Sequence, residues 1–259
     1  MEFLLIPLIG LVVLLFKRSV DDRERLSRIE TQHLDQIAYL SKTLTEQQQE
    51  VARLRGMSHL VSFFLVLPIA PWLVLTAPTR STALHALVYA VTLIALFGVS
   101  AAYHRGPWQP AARERMRRLD HATIFVFIAG TYTPICLDGI GGALGERLML
   151  VIWLGALLGV AQTLGWPRAP RALHVTIYVL LGWAGAFGWR AVCDHLGWRG
   201  GGALVGGGIL YTVGAVIYAR KRPDPFPRVF GYHEIFHVLV ILACGCLFDV
   251  VYRSLHHAG

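Results

Sequence analysis

The stretch His233-Glu234-Ile235-Phe236-His237-Val238-Leu239-Val240-Ile241-Leu242-Ala243-Cys244-Gly245-Cys246-Leu247-Phe248 sets two histidines four residues apart at the head of an uncharged apolar run. Histidines at that spacing share one face of a helix. Two imidazoles so placed are able to grip one metal ion and supply half of a zinc shell. Because Val238 to Phe248 carries no charge, the pair opens a segment that enters a membrane. Ionisable side chains at such a place are costly unless they have a task. The pair reads as part of a metal site.

Composition bounds the class. Of 259 residues 55% are hydrophobic and only 15% charged, and the mean hydropathy is +0.52. Soluble domains carry about a quarter charged residues, so the chain reads as an all-α, polytopic membrane protein. The net charge of +8 does not point to nucleic acid as a partner. Its basic residues concentrate in short loops, where they report orientation. Cys136, Cys193, Cys244 and Cys246 all fall in or beside apolar runs, and read as buried free thiols in preference to a disulfide or a zinc cluster.

Working outward to the N-terminus, Phe3 to Phe16 is apolar and ends in Lys17-Arg18. About fourteen residues is short for a span. Charge after the apolar run, and not before it, argues against a cleaved signal peptide. Residues 1–18 are therefore expected to be an uncleaved anchor with its N-terminus outside. Residues 19–56 are polar and helical in period. Leu26, His33, Leu40, Gln47 and Leu54 fall seven apart, as do Ile37, Leu44 and Val51. That is an a/d seam of about four to five heptads. It is expected to be a cytoplasmic coiled coil for self-association or partner docking, the alternative being a lone amphipathic helix on the membrane surface.

From residue 57 to 259 seven apolar runs follow, at about His59–Thr76, Thr82–Tyr103, Asp120–Leu137, Leu148–Gly165, Ala172–Trp189, Ala203–Ala219 and His233–Tyr252. A seven-helix bundle is the expectation. Arg53 and Arg55 precede the first run, Arg105 and Arg113 to Arg118 separate the second from the third, and Arg220, Lys221, Arg222 and Arg228 separate the sixth from the seventh. The opposite side holds fewer basic residues. This asymmetry puts the coiled coil in the cytoplasm and the C-terminus outside. Pro134 inside the third run is expected to kink it.

Orientation brings chemistry to one depth. His104 ends the second run on the inner side, Asp120 begins the third there, and His233 and His237 begin the seventh. Ser100 lies four before His104, on the same helical face. Three imidazoles plus a water make the shell of a catalytic zinc, and a nearby carboxylate is placed to orient that water or take its proton. His121 points about 100° away from Asp120 and reads as structural. His174 is the one stray histidine on the same side.

At this point three stretches resemble a family. Ser100-Ala-Ala-Tyr103-His104, Leu119-Asp120-His121 running into Ala129-Gly130-Thr131-Tyr132-Thr133-Pro134, and His233-Glu-Ile-Phe-His237 look like the signatures of the hemolysin III group of the progestin and adipoQ receptor family. The resemblance covers about Met57 to Arg253. It implies seven helices with a cytoplasmic N-terminus in a bacterial inner membrane. It also implies zinc on His104, His233 and His237, with Asp120 and Ser100 beside the metal water. Eukaryotic members are linked to ceramide hydrolysis, and bacterial ones to haemolysis and membrane-lipid homeostasis. The acidic residue that the bacterial group often carries ahead of the histidine aligned with His59 is absent at Met57-Ser58, so the resemblance assigns His59 no role.

Two rival readings use the same residues. His233-Glu234-x-x-His237 matches the zincin pattern, in which Glu234 would be a general base. Asp138 in Leu137-Asp138-Gly139 would serve a membrane-embedded protease, but it lies at the outer end of the third run, across the bilayer. The expected function is zinc-dependent hydrolysis of a lipid amide or ester drawn from membrane lipids. The metal would sit on His104, His233 and His237, Asp120 would act on water, and Ser100 would orient water or oxyanion. The competing class is a non-enzymatic membrane-state sensor, or a haemolytic protein, with a structural zinc.

Overall fold

The computed structural model describes residue 18, residues 21–44 and 46, and residues 56–257 apart from 167, 168 and 227–229. The expected anchor lies outside the described residues except for Arg18, as do Gln47, Val51 and Leu54 of the heptads. The chain divides into two compact units, residues 1–50 and 51–259. In the first, residues 21–44 form a helix, α1. The seam residues Leu26, Ile37, Leu40 and Leu44 are all more than half exposed along it.

Among the described residues every regular element of the second unit is a helix, apart from one isolated bridge between Phe226 and Phe230. Its elements are α2 (Met57–Leu75), α3 (Arg80–Arg105), α4 (Pro110–Pro134) leading into a π-helical stretch (Ile135–Ile140), α5 (Gly142–Gly165), α6 (Arg171–Gly182) leading into a 3-10 stretch (Trp183–Gly188), α7 (Trp189–Arg220) and α8 (Tyr232–His257). Among the described residues six helical segments are long and apolar enough to cross a membrane, the longest being Ala172–Arg220 with 49 residues. Leu75, Leu158 and Phe187 point outward at 84%, 72% and 82% exposure, as lipid-facing side chains of an integral membrane protein do.

That longest segment is two antiparallel helices. Gly197 breaks it with φ 73° and ψ 173°, a conformation essentially confined to glycine. In one straight helix Trp183 and Thr212 would lie roughly 43 Å apart. Instead the Trp183 indole donates to the Thr212 hydroxyl at 2.9 Å, and the Trp189 indole to the Gly201 carbonyl at 3.4 Å. The chain folds back at Gly197, and the seven apolar runs become seven packed helical segments. The fifth and sixth runs are longer than apolarity alone suggested, because Arg190 and Arg199 ride on helix and not on loop.

Local chemistry sets the helix ends that matter for the site. At the start of α3, Thr79 and Thr82 exchange backbone-to-hydroxyl hydrogen bonds of 3.0 and 3.1 Å, a reciprocal cap. Pro110 at the first turn of α4 costs no intrahelical bond. That helix begins ten residues before the apolar run. Arg113 to Arg118 are therefore helical, with Glu114 bridging Arg117 at 2.7 Å and Arg118 at 3.2 Å. At its other end the expected kink at Pro134 takes the form of a change to π-helical winding that ends at Gly141, φ 71°.

The core runs through the centre of this unit, with Leu73, Tyr89, Phe125, Ile135, Ile152, Val192 and Val250 fully buried. α3 packs along α2 and α4, and α7 along α8. Gly130 of α4 lies directly on Thr92 of α3, so close that any Cβ there would clash with the threonine side chain. This contact lets α3 and α4, the carriers of His104 and Asp120, approach closely.

Candidate metal centre

Each histidine arrives by a separate route. His233 and His237 stand one turn apart at the start of α8. That start is held by Glu234, whose carboxylate accepts from the Gly231 amide at 2.7 Å, and by Asp224, which accepts from the Tyr232 amide at 3.0 Å. Glu234 thus serves as a helix cap, which argues against its use as a zincin base. His104 comes from the last turn of α3 and is 8% exposed; His237 is 2% exposed.

The three rings converge. One nitrogen from each of His104, His233 and His237 lies within 4.8 Å of the others. The ring centroids are 5.0 Å apart for His104 and His233, 4.4 Å for His233 and His237, and 5.4 Å for His104 and His237. The Nε2 atoms of His104 and His233 are 3.4 Å apart. Two nitrogens each bound at 2.0–2.1 Å to one tetrahedral zinc are separated by about 3.3–3.4 Å. The donor set, three imidazoles with no carboxylate among them, also suits zinc in preference to a hard cation. The residues fit the metal.

Ser100 and Asp120 border the same space. Ser100 is 3% exposed and lines the same cavity as Asp120. Asp120 does not join the three-nitrogen group. Together the five residues line a cavity of about 520 Å³, within the range of small-molecule sites. The cavity reaches Leu96 on α3, Tyr132 on α4 and Leu247 on α8. These lie eight, twelve and ten residues from His104, Asp120 and His237, or roughly 12–18 Å along their helices. The site therefore has a polar end of histidines and carboxylate and a long, largely apolar interior.

The sequence profile of the "Haemolysin-III related" family matches residues 47–248. The chain belongs to that family. It is 27% identical over 207 residues to a Hemolysin-3 homolog of Bacillus subtilis (strain 168), covering 79% of this chain and 93% of that protein. It is 28% identical over 207 residues to Hemolysin-3 of Bacillus cereus, covering 79% and 90%. A shorter likeness, 27% over 173 residues, is to the Adiponectin receptor protein of Drosophila melanogaster, over 58% of this chain and 38% of the receptor. The family match starts at residue 47, ten residues ahead of Met57 and inside the stretch expected to be coiled coil.

Within this haemolysin-III-related chain the structure also adds and removes site residues. His121, read as structural, hydrogen-bonds the Arg117 carbonyl through Nδ1 at 2.8 Å, yet it borders the cavity, as does His174. Their rings meet edge to face at 6.2 Å. Asp138 and Asp249 are spoken for elsewhere, by His85 at 2.9 Å and Arg253 at 2.9 Å. All four cysteines are free thiols. The residue missed by sequence reasoning is His59. It is 4% exposed, lines the cavity, and stacks on His237 with centroids 3.9 Å apart and planes 17° from parallel. Its sequence signals were its alignment with a histidine of the bacterial group, without the acidic residue that often precedes it, and its place near the start of an apolar run, which is too common to mark a site.

Proposed function

We propose that this protein is a zinc-dependent hydrolase of a lipid amide or ester, ceramidase-like in its chemistry and acting in membrane-lipid homeostasis. The observation that carries the reading is the convergence of three imidazole nitrogens, with no fourth ligand among the described residues, at the polar end of a long apolar cavity. A structural zinc is normally closed by four protein ligands, whereas a catalytic one keeps a position open.

His104, His233 and His237 would hold the ion. Zinc bound there would supply Lewis acidity toward a carbonyl and hydrolytic water at neutral pH. The remaining work belongs to this chain. The interior between Leu96, Phe127, Val240 and Leu247 takes the acyl chain of a membrane lipid out of water and leaves its amide or ester at the histidine end. An Asp120 carboxylate oxygen orients the attacking water and accepts its proton. The Ser100 hydroxyl, which lines the same cavity, orients the water or the oxyanion.

The site faces the cytoplasmic side of a bacterial inner membrane, with α1 in the cytoplasm and the C-terminus outside. The arginines of α4 and of the α7–α8 connection support this orientation. The exposed seam of α1 supports self-association or a protein partner.

A second reading, a haemolytic or sensing protein with structural zinc, draws on the printed names of the Bacillus relatives. The polar side chains gather at one depth here, and a pore would need them to repeat along its length. The deciding experiment is metal analysis of the purified full-length protein, then incubation with ceramide, acyl-homoserine and phospholipid substrates. About one zinc per chain and release of fatty acid are expected. Zinc-loaded protein inert on all three classes would favour the second reading, and metal-free folded protein would remove the centre.

A further inference from the structure

His59 lines the cavity but stands outside the cluster of three histidine nitrogens. Neither Nδ1 nor Nε2 has a hydrogen-bond partner among the described residues, although both are buried. A neutral imidazole carries one N–H and one lone pair, and burying both without partners is unfavourable. Packing does not explain the choice of histidine. The ring is held flat against His237 and edge-on to Phe97 at 5.3 Å and 82°, and a phenyl ring would fill those contacts without the penalty. Metal ligation does not explain it either. The His59 nitrogens are outside the three-nitrogen group, and stacked rings 3.9 Å apart hold their in-plane lone pairs side by side, not convergent. The ring lines the cavity, as do Ser100 and His104.

We propose that His59 is a ligand-contacting residue of this centre, a fourth histidine that hydrogen-bonds the amide or ester group of the lipid held beside His104, His233 and His237. The proposal rests on reading the centre as lipid-binding. His59 has no protein partner of its own among the described residues and gains one when lipid enters, so its histidine costs stability and contributes affinity.

The test uses full-length protein in lipid nanodiscs, stripped of metal so that no hydrolysis competes, with N-oleoylsphingosine as the probe. His59→Phe keeps the ring packing and removes both nitrogens; His59→Asn retains a polar group. Both variants should take up zinc as wild type does when metal is returned. His59→Phe should bind the probe about three- to tenfold more weakly, the loss typical of one hydrogen bond, while its ligand-free thermal midpoint rises. His59→Asn should fall between, and it carries the test if the phenyl ring does not fit. Unchanged affinity in both variants overturns the proposal, as does loss of zinc uptake, which would make His59 a support of the metal. Wild type that binds no probe strikes the lipid reading itself, a failure visible without any variant.

Discussion

At the scale of single residues, the proposed centre separates groups that would hold a metal from groups that would act beside it. His104, His233 and His237 share one nitrogen cluster, while Asp120 lies outside it and lines the same cavity with Ser100. Substitutions should sort accordingly. His237→Ala and His104→Ala are expected to lose zinc, since two imidazoles do not match three. Asp120→Asn keeps nearly the same size and hydrogen-bonding capacity but cannot take a proton. It should retain zinc and lose hydrolysis by about 10²–10⁴-fold, the usual worth of general base help. Zinc stoichiometry and rate measured on the same preparations check this. An Asp120→Asn protein as active as wild type would remove Asp120 from the mechanism.

At the scale of elements, two features invite direct tests. Gly197 turns α7 back on the preceding helix from a φ of 73°, and a Cβ there meets no neighbouring atom within 4 Å. The cost of Gly197→Ala is thus backbone strain alone, about 1–3 kcal/mol. A matching fall in stability by denaturant titration in detergent is the expected outcome. An unchanged titration would mean that the turn relaxes to another geometry. The second feature is α1. If its seam pairs helices, Ile37→Asp with Leu44→Asp should convert an oligomer to monomer by light scattering, with zinc content unaffected. Both residues are exposed, so the unpaired helix itself should survive the change. Wild type already monomeric would leave α1 as a lone amphipathic helix.

At the scale of the whole molecule, the proposed topology has the chain cross a membrane seven times from Met57 onward, with the start of α2 and the end of α8 on opposite sides. A reporter inserted in the connection between α3 and α4, at Gly106 to Gln109, should read as cytoplasmic. One fused after His257 should read as external. Both on one side would refute the odd number of crossings and, with it, the fold-back at Gly197. The α3–α4 connection replaces Arg113 to Arg118 as the insertion point, because those arginines are helical.

Apolar runs, arginine asymmetry and the i, i+4 histidine pair were enough to derive the helical membrane fold and to bring His104, Asp120, His233 and His237 to one depth. These are properties of local composition and helical period, which a single chain displays without its neighbours. Helix extents beyond the apolar runs were not legible, because hydropathy reports the membrane and not where winding stops; α4 begins at Pro110 on account of proline and ion-pair chemistry. His59 was legible least of all. Its burial, its stacking on His237 and its place on the cavity depend on α2 meeting α3 and α8, segments that lie 38 to 178 residues from it in sequence. Depth along each helix can be counted in the sequence; which faces meet is decided only when the helices pack.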